Sequence, residues 1–289
     1  MHLLGISRGK QFSPNMTDND TAIFRAVIDV LEKSGCKVDR MSEDEFCAVY
    51  KDHLDQVKAD AIFGMYRGLE TINLLDELEM MFHIPAINPC WGIHNAIRKN
   101  LTLVLQTSGV PIPQTQIVDA NFRFDESVNY PCWLKRGDAC AQVREDVVYC
   151  DNSEQAQAAL QAFQRRGIVR DIVVCEHLVG DLIKFYGVEG TDFFQWDYAS
   201  RGYSKFGLEA HNGVEHEYPF SVNTLHALAT RTAENLKLPI YGGDAVVSAT
   251  GEIRIIDFND WPSFSRCREK ASVAIAKKII KEYEENRKK

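Results

Sequence analysis

The stretch Tyr241-Gly-Gly-Asp244-Ala-Val-Val-Ser248 is followed, after Ala249-Thr250-Gly251, by Glu252-Ile-Arg-Ile-Ile-Asp257-Phe-Asn259-Asp-Trp-Pro262. Two apolar runs flanking a Thr-Gly pair predict a β-hairpin. With Thr250 and Gly251 as the loop, Ala249 faces Glu252, and counting outward sets Asp244 directly opposite Asp257. Opposed residues share a sheet face, and strand side chains alternate. Asn259 therefore joins the two aspartates, while Arg254, Ile256 and Phe258 are expected on the other face. Like charges directly opposite one another destabilise a bare hairpin by roughly 0.2–1 kcal/mol. Two carboxylates and an amide oxygen suit a hard cation such as magnesium, which keeps some waters and shares substrate phosphates. A pair of solvated strand ends is the plainer alternative, and the added Asn259 and the Pro262 stop weigh against it.

Working back from the hairpin, two lysines interrupt apolar strands: Lys135 in Pro131-Cys-Trp-Leu-Lys135-Arg-Gly-Asp138, and Lys184 in Gly180-Asp-Leu-Ile-Lys184-Phe-Tyr186. An ammonium on a strand that otherwise faces a core needs an anionic partner, and a nucleotide phosphate is one; a snorkelling lysine is the structural alternative. Neither the G-x-x-x-x-G-K-[ST] loop nor the G-x-G-x-x-G fingerprint occurs anywhere in the chain.

The first ninety residues alternate strand and helix signals. A strand over 3–7 precedes a helix with Ile23, Phe24, Val27, Ile28 and Leu31 on one face. Strands at 37–40 and 60–63, a helix over 69–82 and a return at Ile84-Pro-Ala-Ile-Asn88 follow. Such alternation predicts a parallel α/β layer with ligands gathered at the carboxyl ends of its strands, where Arg8 and Arg67 lie. The middle section reads as strands at 115–118, 130–135 and 146–149, a helix from Ser153 and a strand at 172–175. A strand at 182–188, an aromatic-rich stretch from Phe193 to Tyr203, a helix through Leu225 and Leu236, the hairpin and a charged terminal helix complete the chain. The expected division is residues 1–88, 89–175 and 176–289.

At 289 residues, 45% hydrophobic and 26% charged, the chain is long enough for two or three compact units. A net charge of −8 argues against nucleic acid or an anionic membrane as the main partner. No run of about 18 apolar residues is present to span a bilayer, and the start lacks a secretory pattern. The eight cysteines show no C-x-x-C pair, which fits reduced thiols in a cytoplasm.

In order, P-x-W-L-K, an E-x-x-x-G hinge at Glu176-His-Leu-Val-Gly180, G-D-x-x-K-F-Y, a lone Asp244 and I-D-F-N-D-W-P resemble the ATP-grasp superfamily. The likeness spans roughly residues 88–264 and extends both to the ribosomal-protein glutamate ligase and D-alanine–D-alanine ligase branch and to the inositol-trisphosphate kinase branch. The resemblance implies an N-terminal Rossmann-like α/β domain followed by a two-lobed α+β grasp that holds ATP between its lobes. It further implies one or two magnesium ions, with manganese able to substitute, on Asp244, Asp257 and Asn259. Lys135 and Lys184 would contact phosphate, Glu176, His177 and Leu178 would form the adenine hinge largely through backbone, and Asp181 would contact the ribose. D-alanine ligases carry an arginine just before the first metal aspartate. Here that position is Tyr241-Gly242-Gly243, so Arg266 and Arg268 are the candidates to supply charge at the reacting centre. A histidine at 177 or 211 is not required by such chemistry and reads as structural. The expected activity is ADP-forming ligation of a carboxylate to an amine, with a small-molecule or peptide substrate and a state open to homo-oligomers. A small-molecule kinase and a non-catalytic ATP-binding regulatory module are the alternatives.

Overall fold

The computed structural model describes residues 1–201 and 206–287. Its first sheet is parallel, in the order β2-β1-β3-β4, from β1 (His2–Ser7), β2 (Lys37–Ser42), β3 (Ala61–Gly64) and β4 (Ala86–Ile87). Parallel neighbours need crossovers, supplied by α1 (Thr17–Lys33), α2 (Glu43–Tyr50) and α3 (Leu69–Phe82). Helix α2 is absent from the sequence-based expectation. It is short, and it starts from a capping box in which Ser42 and Glu45 satisfy each other's backbone donors.

After α4 (Cys90–Asn95) and α5 (Arg98–Ser108), the second sheet runs β5-β8-β6-β7, all antiparallel. It contains β5 (Thr115–Val118), β6 (Cys132–Arg136), β7 (Val147–Cys150) and β8 (Ile172–Glu176), backed by α6 (Ser153–Arg165). Alternation along β6 is clean: Cys132 and Leu134 enter the core with Leu160 and Phe163 of α6, leaving Trp133 and Lys135 to the opposite face. The third sheet, β10-β9-β11-β12, holds β9 (Asp181–Val188), β10 (Phe194–Tyr198), β11 (Ile240–Val247) and β12 (Ile253–Asp260). Strand β10 occupies part of the aromatic-rich stretch; the end of that stretch, at Tyr203, lies outside the described residues. The helix α7 (Val222–Leu236) covers one face of this sheet through Leu225, Ala229 and Leu236.

Two helices pack away from the sections in which the sequence placed them. Leu101 and Leu105 of α5 share a core with the third sheet. Ala271, Ile275 and Ile279 of the terminal helix α8 (Arg268–Asn286) share one with Val27 and Leu31 of α1 and Phe63 of β3. The chain after β12 thus returns to the first sheet. Among the described residues no helix is long and apolar enough to cross a membrane. All eight cysteines are free.

Candidate active site

The hairpin reaches the expected pairing by an unexpected route. Ser248 donates to the Glu252 carbonyl at 2.9 Å, and Gly251, at φ +81°, donates back to the Ser248 carbonyl. The loop therefore contains residues 249–251, one more than a Thr-Gly turn, which offsets the pairing by one residue. A bulge then opposes Asp244 to Asp257 while Ala245 faces Ile255, making Ile256 the extra residue of β12. The two offsets cancel, so Asp244 does lie across from Asp257. They also correct the predicted alternation. Arg254 pairs across from Val246 and reaches Glu176, and Ile256 lines the same cleft as Asp257 and Asn259. Of the three residues expected on the far face, only Phe258 packs into the core there.

Cross-strand pairing lays the floor of this cleft out in rows. The first contains Leu182, Val246 and Arg254; the next Asp197, Lys184, Asp244 and Asp257; the third Gln195, Tyr186, Gly242 and Asn259. Apolar floor thus gives way to charge and then to an amide along a single sheet face. Gly242 and Gly243 let the strands close up here: a Cβ on Gly243 would meet the Asp257 carbonyl oxygen at 2.6 Å and the Phe185 ring at 2.4 Å.

The charged row is internally balanced. Lys184 Nζ is 3.1 Å from Asp244 and 3.2 Å from Glu209. Burial works against its ammonium, but these carboxylates outweigh it and hold the Lys184 pKa above its ordinary value. Burial raises the Asp244 pKa, Lys184 opposes that shift, and the facing Asp257 adds to it. Asp257 lies 3.7 Å from Arg98 Nη2, and Asp197 takes Arg266 at 2.9 Å. Every charge in the row therefore has a partner of opposite sign.

The facing wall comes from the second sheet, where Trp133, Lys135, Val147 and Cys175 point inward to enclose about 320 Å³. Lys135 Nζ lies 3.4 Å from the Ile256 carbonyl, so the bulged residue bridges the two walls. At the strand exit, Trp133 Nε1 donates to His177 Nδ1 at 3.1 Å. That bond requires a lone pair on Nδ1, and burial, followed by the nearby His211, lowers the His177 pKa. The 3-10 turn Leu208–Asn212 closes the near side, with His211 stacked on Tyr149 and Asn212 donating to the Leu178 carbonyl at 3.0 Å.

Beyond the charged row the first sheet supplies the end wall. Arg8 donates from Nε to the Met65 carbonyl and from Nη2 to the Trp261 carbonyl, and it pairs with Asp20 at 3.1 Å. Arg67 takes Asp260 in a fork, Nε to Oδ2 at 3.1 Å and Nη2 to Oδ1 at 2.5 Å. The buried Glu43 accepts the backbone N–H groups of Gly9, Arg67 and Gly68, fixing both arginine-bearing loops from below.

The fold that carries this cleft has counterparts among solved structures. The chain superposes on the D-alanine–D-alanine ligase from Bacillus anthracis complexed with ATP with a TM-score of 0.72 at 14% identity, covering 100% of this chain and 99% of that one. It superposes on the D-alanine–D-alanine ligase from Coxiella burnetii at 0.69 and 12% identity, covering 100% and 96%. For the RimK domain protein ATP-grasp from Sphaerobacter thermophilus DSM 20745 the values are 0.65 and 17%, covering 96% and 99%. The chain has the ATP-grasp fold. No family model matches the sequence, and no curated protein does; identities this low carry the fold and nothing finer.

Within the ATP-grasp fold, Lys135, Glu176, His177, Leu178, Lys184, Asp244, Asp257, Asn259 and Arg266 all line one cleft. Two of the residues singled out from sequence do not. Both carboxylate oxygens of Asp181 are taken up by the backbone N–H groups of His216 and Tyr218, at 2.6 and 2.8 Å, and the residue is buried. It fastens the segment that follows the 3-10 turn, which leaves no oxygen directed at a ligand. Arg268 opens α8 and donates to Asn19 at 3.2 Å, outside the cleft lining. Conversely, Arg98, Glu209, Tyr186 and Trp133 stand in the cleft without having been singled out. Trp133 and Tyr186 were legible from alternation, being two residues from Lys135 and Lys184 along their strands. Arg98 and Glu209 come from distant segments and carry no local signal.

The side chains present fit a hard divalent cation. Asp244, Asp257 and Asn259 offer oxygen donors from adjacent rows of one face, and burial together with the facing Asp257 raises the cost of ionising Asp244, which a cation would relieve. Among the described residues no group of three or more His, Cys, Asp or Glu is arranged to hold a metal ion by itself. The remaining coordination would therefore fall to water and to ligand oxygens.

Proposed function

We propose that this protein is an ATP-dependent, ADP-forming ligase that joins a carboxylate to an amine. The observation that carries the reading is the row Lys184–Asp244–Asp257 facing Lys135 across a cleft in an ATP-grasp fold. ATP would lie with adenine over Leu182 and Val246 beside the Glu176–Leu178 backbone, and with its phosphates along the charged row. Magnesium held by Asp244, Asp257 and Asn259 would supply charge neutralisation on the phosphates. Lys135, Lys184 and Arg98 add fixed positive charge there. Phosphoryl transfer depends chiefly on such positioning and electrostatic stabilisation.

In the balanced reaction, a substrate carboxylate oxygen attacks the γ-phosphorus and ADP leaves with the bridging oxygen's electrons. An amine then attacks the acylphosphate carbonyl, loses a proton and expels inorganic phosphate. Arg266, which lines the same cleft with its guanidinium held by Asp197 and the Tyr198 and Ala199 carbonyls, would face the reacting carboxylate. The end wall favours a ligase over a kinase acting on a polyanion. Arg8, Arg67 and Arg266 are neutralised by Asp20, Asp260 and Asp197 respectively, so among the described residues the end wall offers no surplus positive basin for clustered phosphates.

The test is release of ADP and phosphate from magnesium-ATP across a panel of acids and amines, with hydroxylamine to trap a hydroxamate. Asp257→Asn is expected to lower turnover on the order of 100-fold, the scale of losing a group that stabilises transferring charge. A stable phosphorylated product would replace the ligase reading with the kinase one. Unchanged turnover in Asp257→Asn would remove the metal assignment.

A further inference from the structure

The turn Leu208–Asn212 touches three parts of the cleft at once. His211 stacks on Tyr149 of β7 with ring centroids 4.1 Å apart, Asn212 reaches the hinge carbonyl of Leu178, and Glu209 reaches Lys184 of β9. The Glu209 carboxylate is 3.2 Å from Lys184 Nζ, while Asp244 sits 3.1 Å from the same ammonium. One of these two anions belongs to the rigid floor and the other to a segment laid over the cleft. Both partners of the Glu209 contact are mostly shielded, with side-chain exposures of 18% for Lys184 and 19% for Glu209. The contact is therefore weakly screened by solvent. A carboxylate oxygen and a phosphate oxygen are equivalent acceptors for an ammonium, and Lys184 has a limited number of donors to share.

We propose that Glu209 occupies the place of a nucleotide phosphate oxygen on Lys184, so that ATP binds by exchanging one anion for another. The inference rests on the nucleotide reading above. It assigns Glu209 as a residue that lowers the affinity for phosphate-bearing ligands by competing with them for Lys184. The contacts of His211 with Tyr149 and of Asn212 with Leu178 involve no phosphate partner and are not part of the exchange.

Calorimetric titration of the full chain with magnesium-ATP and, separately, with adenosine distinguishes this role from a structural one. Glu209→Gln removes the charge and Glu209→Asp shortens the reach; both sit on a surface turn, away from any core. Each is expected to bind ATP roughly tenfold more tightly than the unaltered protein, the scale of one charge-assisted hydrogen bond. Adenosine, which has no phosphate to exchange, is expected to bind the variants and the unaltered protein within about twofold of one another. Unchanged or weaker ATP binding in both variants would overturn the inference and leave the nucleotide reading standing. An equal gain for adenosine would overturn it as well, because a merely loosened turn admits both ligands. Absence of ATP binding by all three proteins would overturn this inference together with the ligase reading.

Discussion

Asp260→Asn is expected to destabilise the protein by about 3 kcal/mol, because it breaks the clamp that ties the first sheet to the end of β12. The Asp260 side chain is 5% exposed and that of Arg67 is 12% exposed. Arg67 makes two bonds to the carboxylate and a third, at 3.3 Å, to the Asp260 carbonyl. Asp260 also holds the Arg67 pKa above its ordinary value against the effect of burial. Breaking a buried ion pair from one side costs roughly 3–5 kcal/mol, since the surviving charge is left without compensation. Asparagine keeps one acceptor oxygen but turns an N–H donor toward the guanidinium, which places the loss near the lower end of that range. For a chain of this length each kcal/mol lowers the melting temperature by about 2 °C, so a drop of about 6 °C should accompany it. Urea denaturation followed by both tryptophan fluorescence and circular dichroism measures the loss. Arg67→Met made on top of Asp260→Asn should recover part of it, because the uncompensated cation is then gone. A loss below about 1 kcal/mol for Asp260→Asn would refute the claim that this fork carries the junction.

Gly243→Ala should separate β11 from β12 at the charged row, where its methyl group meets backbone and ring together; a crystal structure retaining the Asp244–Asp257 register, with unchanged stability, would contradict this. Ile275→Ala, at a fully buried site between α8 and α1, should cost about 3 kcal/mol within the range for such truncations, read by chemical denaturation. The lowered His177 pKa gives a pH dependence of definite sign. Between the folded value and the ordinary value of 6.5 the unfolded chain binds more protons, so stability falls as pH drops through that window and is unaffected above it. Trp133→Phe should move the His177 titration in an NMR series, and an unmoved midpoint would dissociate the two rings.

Much of the site was legible because its residues lie on strands. Period-two alternation puts Lys135 beside Trp133 and Lys184 beside Tyr186, and a residue count from the Thr-Gly turn opposes Asp244 to Asp257. That count succeeded through compensation, since the longer loop and the bulge at Ile256 shift the pairing in opposite directions. Asp181 misled because an acidic residue beginning a strand carries the same local signal whether it faces a ligand or two backbone donors. The pairing of Arg98 with Asp257 and of Glu209 with Lys184 was invisible because the partners lie far apart in sequence.

The sequence alone determined the parallel first layer, the two strand-borne lysines and the pairing of the two aspartates. These depend on hydrophobic period and turn spacing, which act over a few residues. The tertiary structure decided which charges remain available. Arg8, Arg67 and Arg266 end neutralised against Asp20, Asp260 and Asp197, and the Ile256 bulge turns Arg254 toward the cleft. It also decided that α8 returns to α1, because its apolar seam finds its complement on the first sheet rather than beside the strands it follows. Coulomb energy and packing depend on distances between remote segments, and only the folded chain sets those distances.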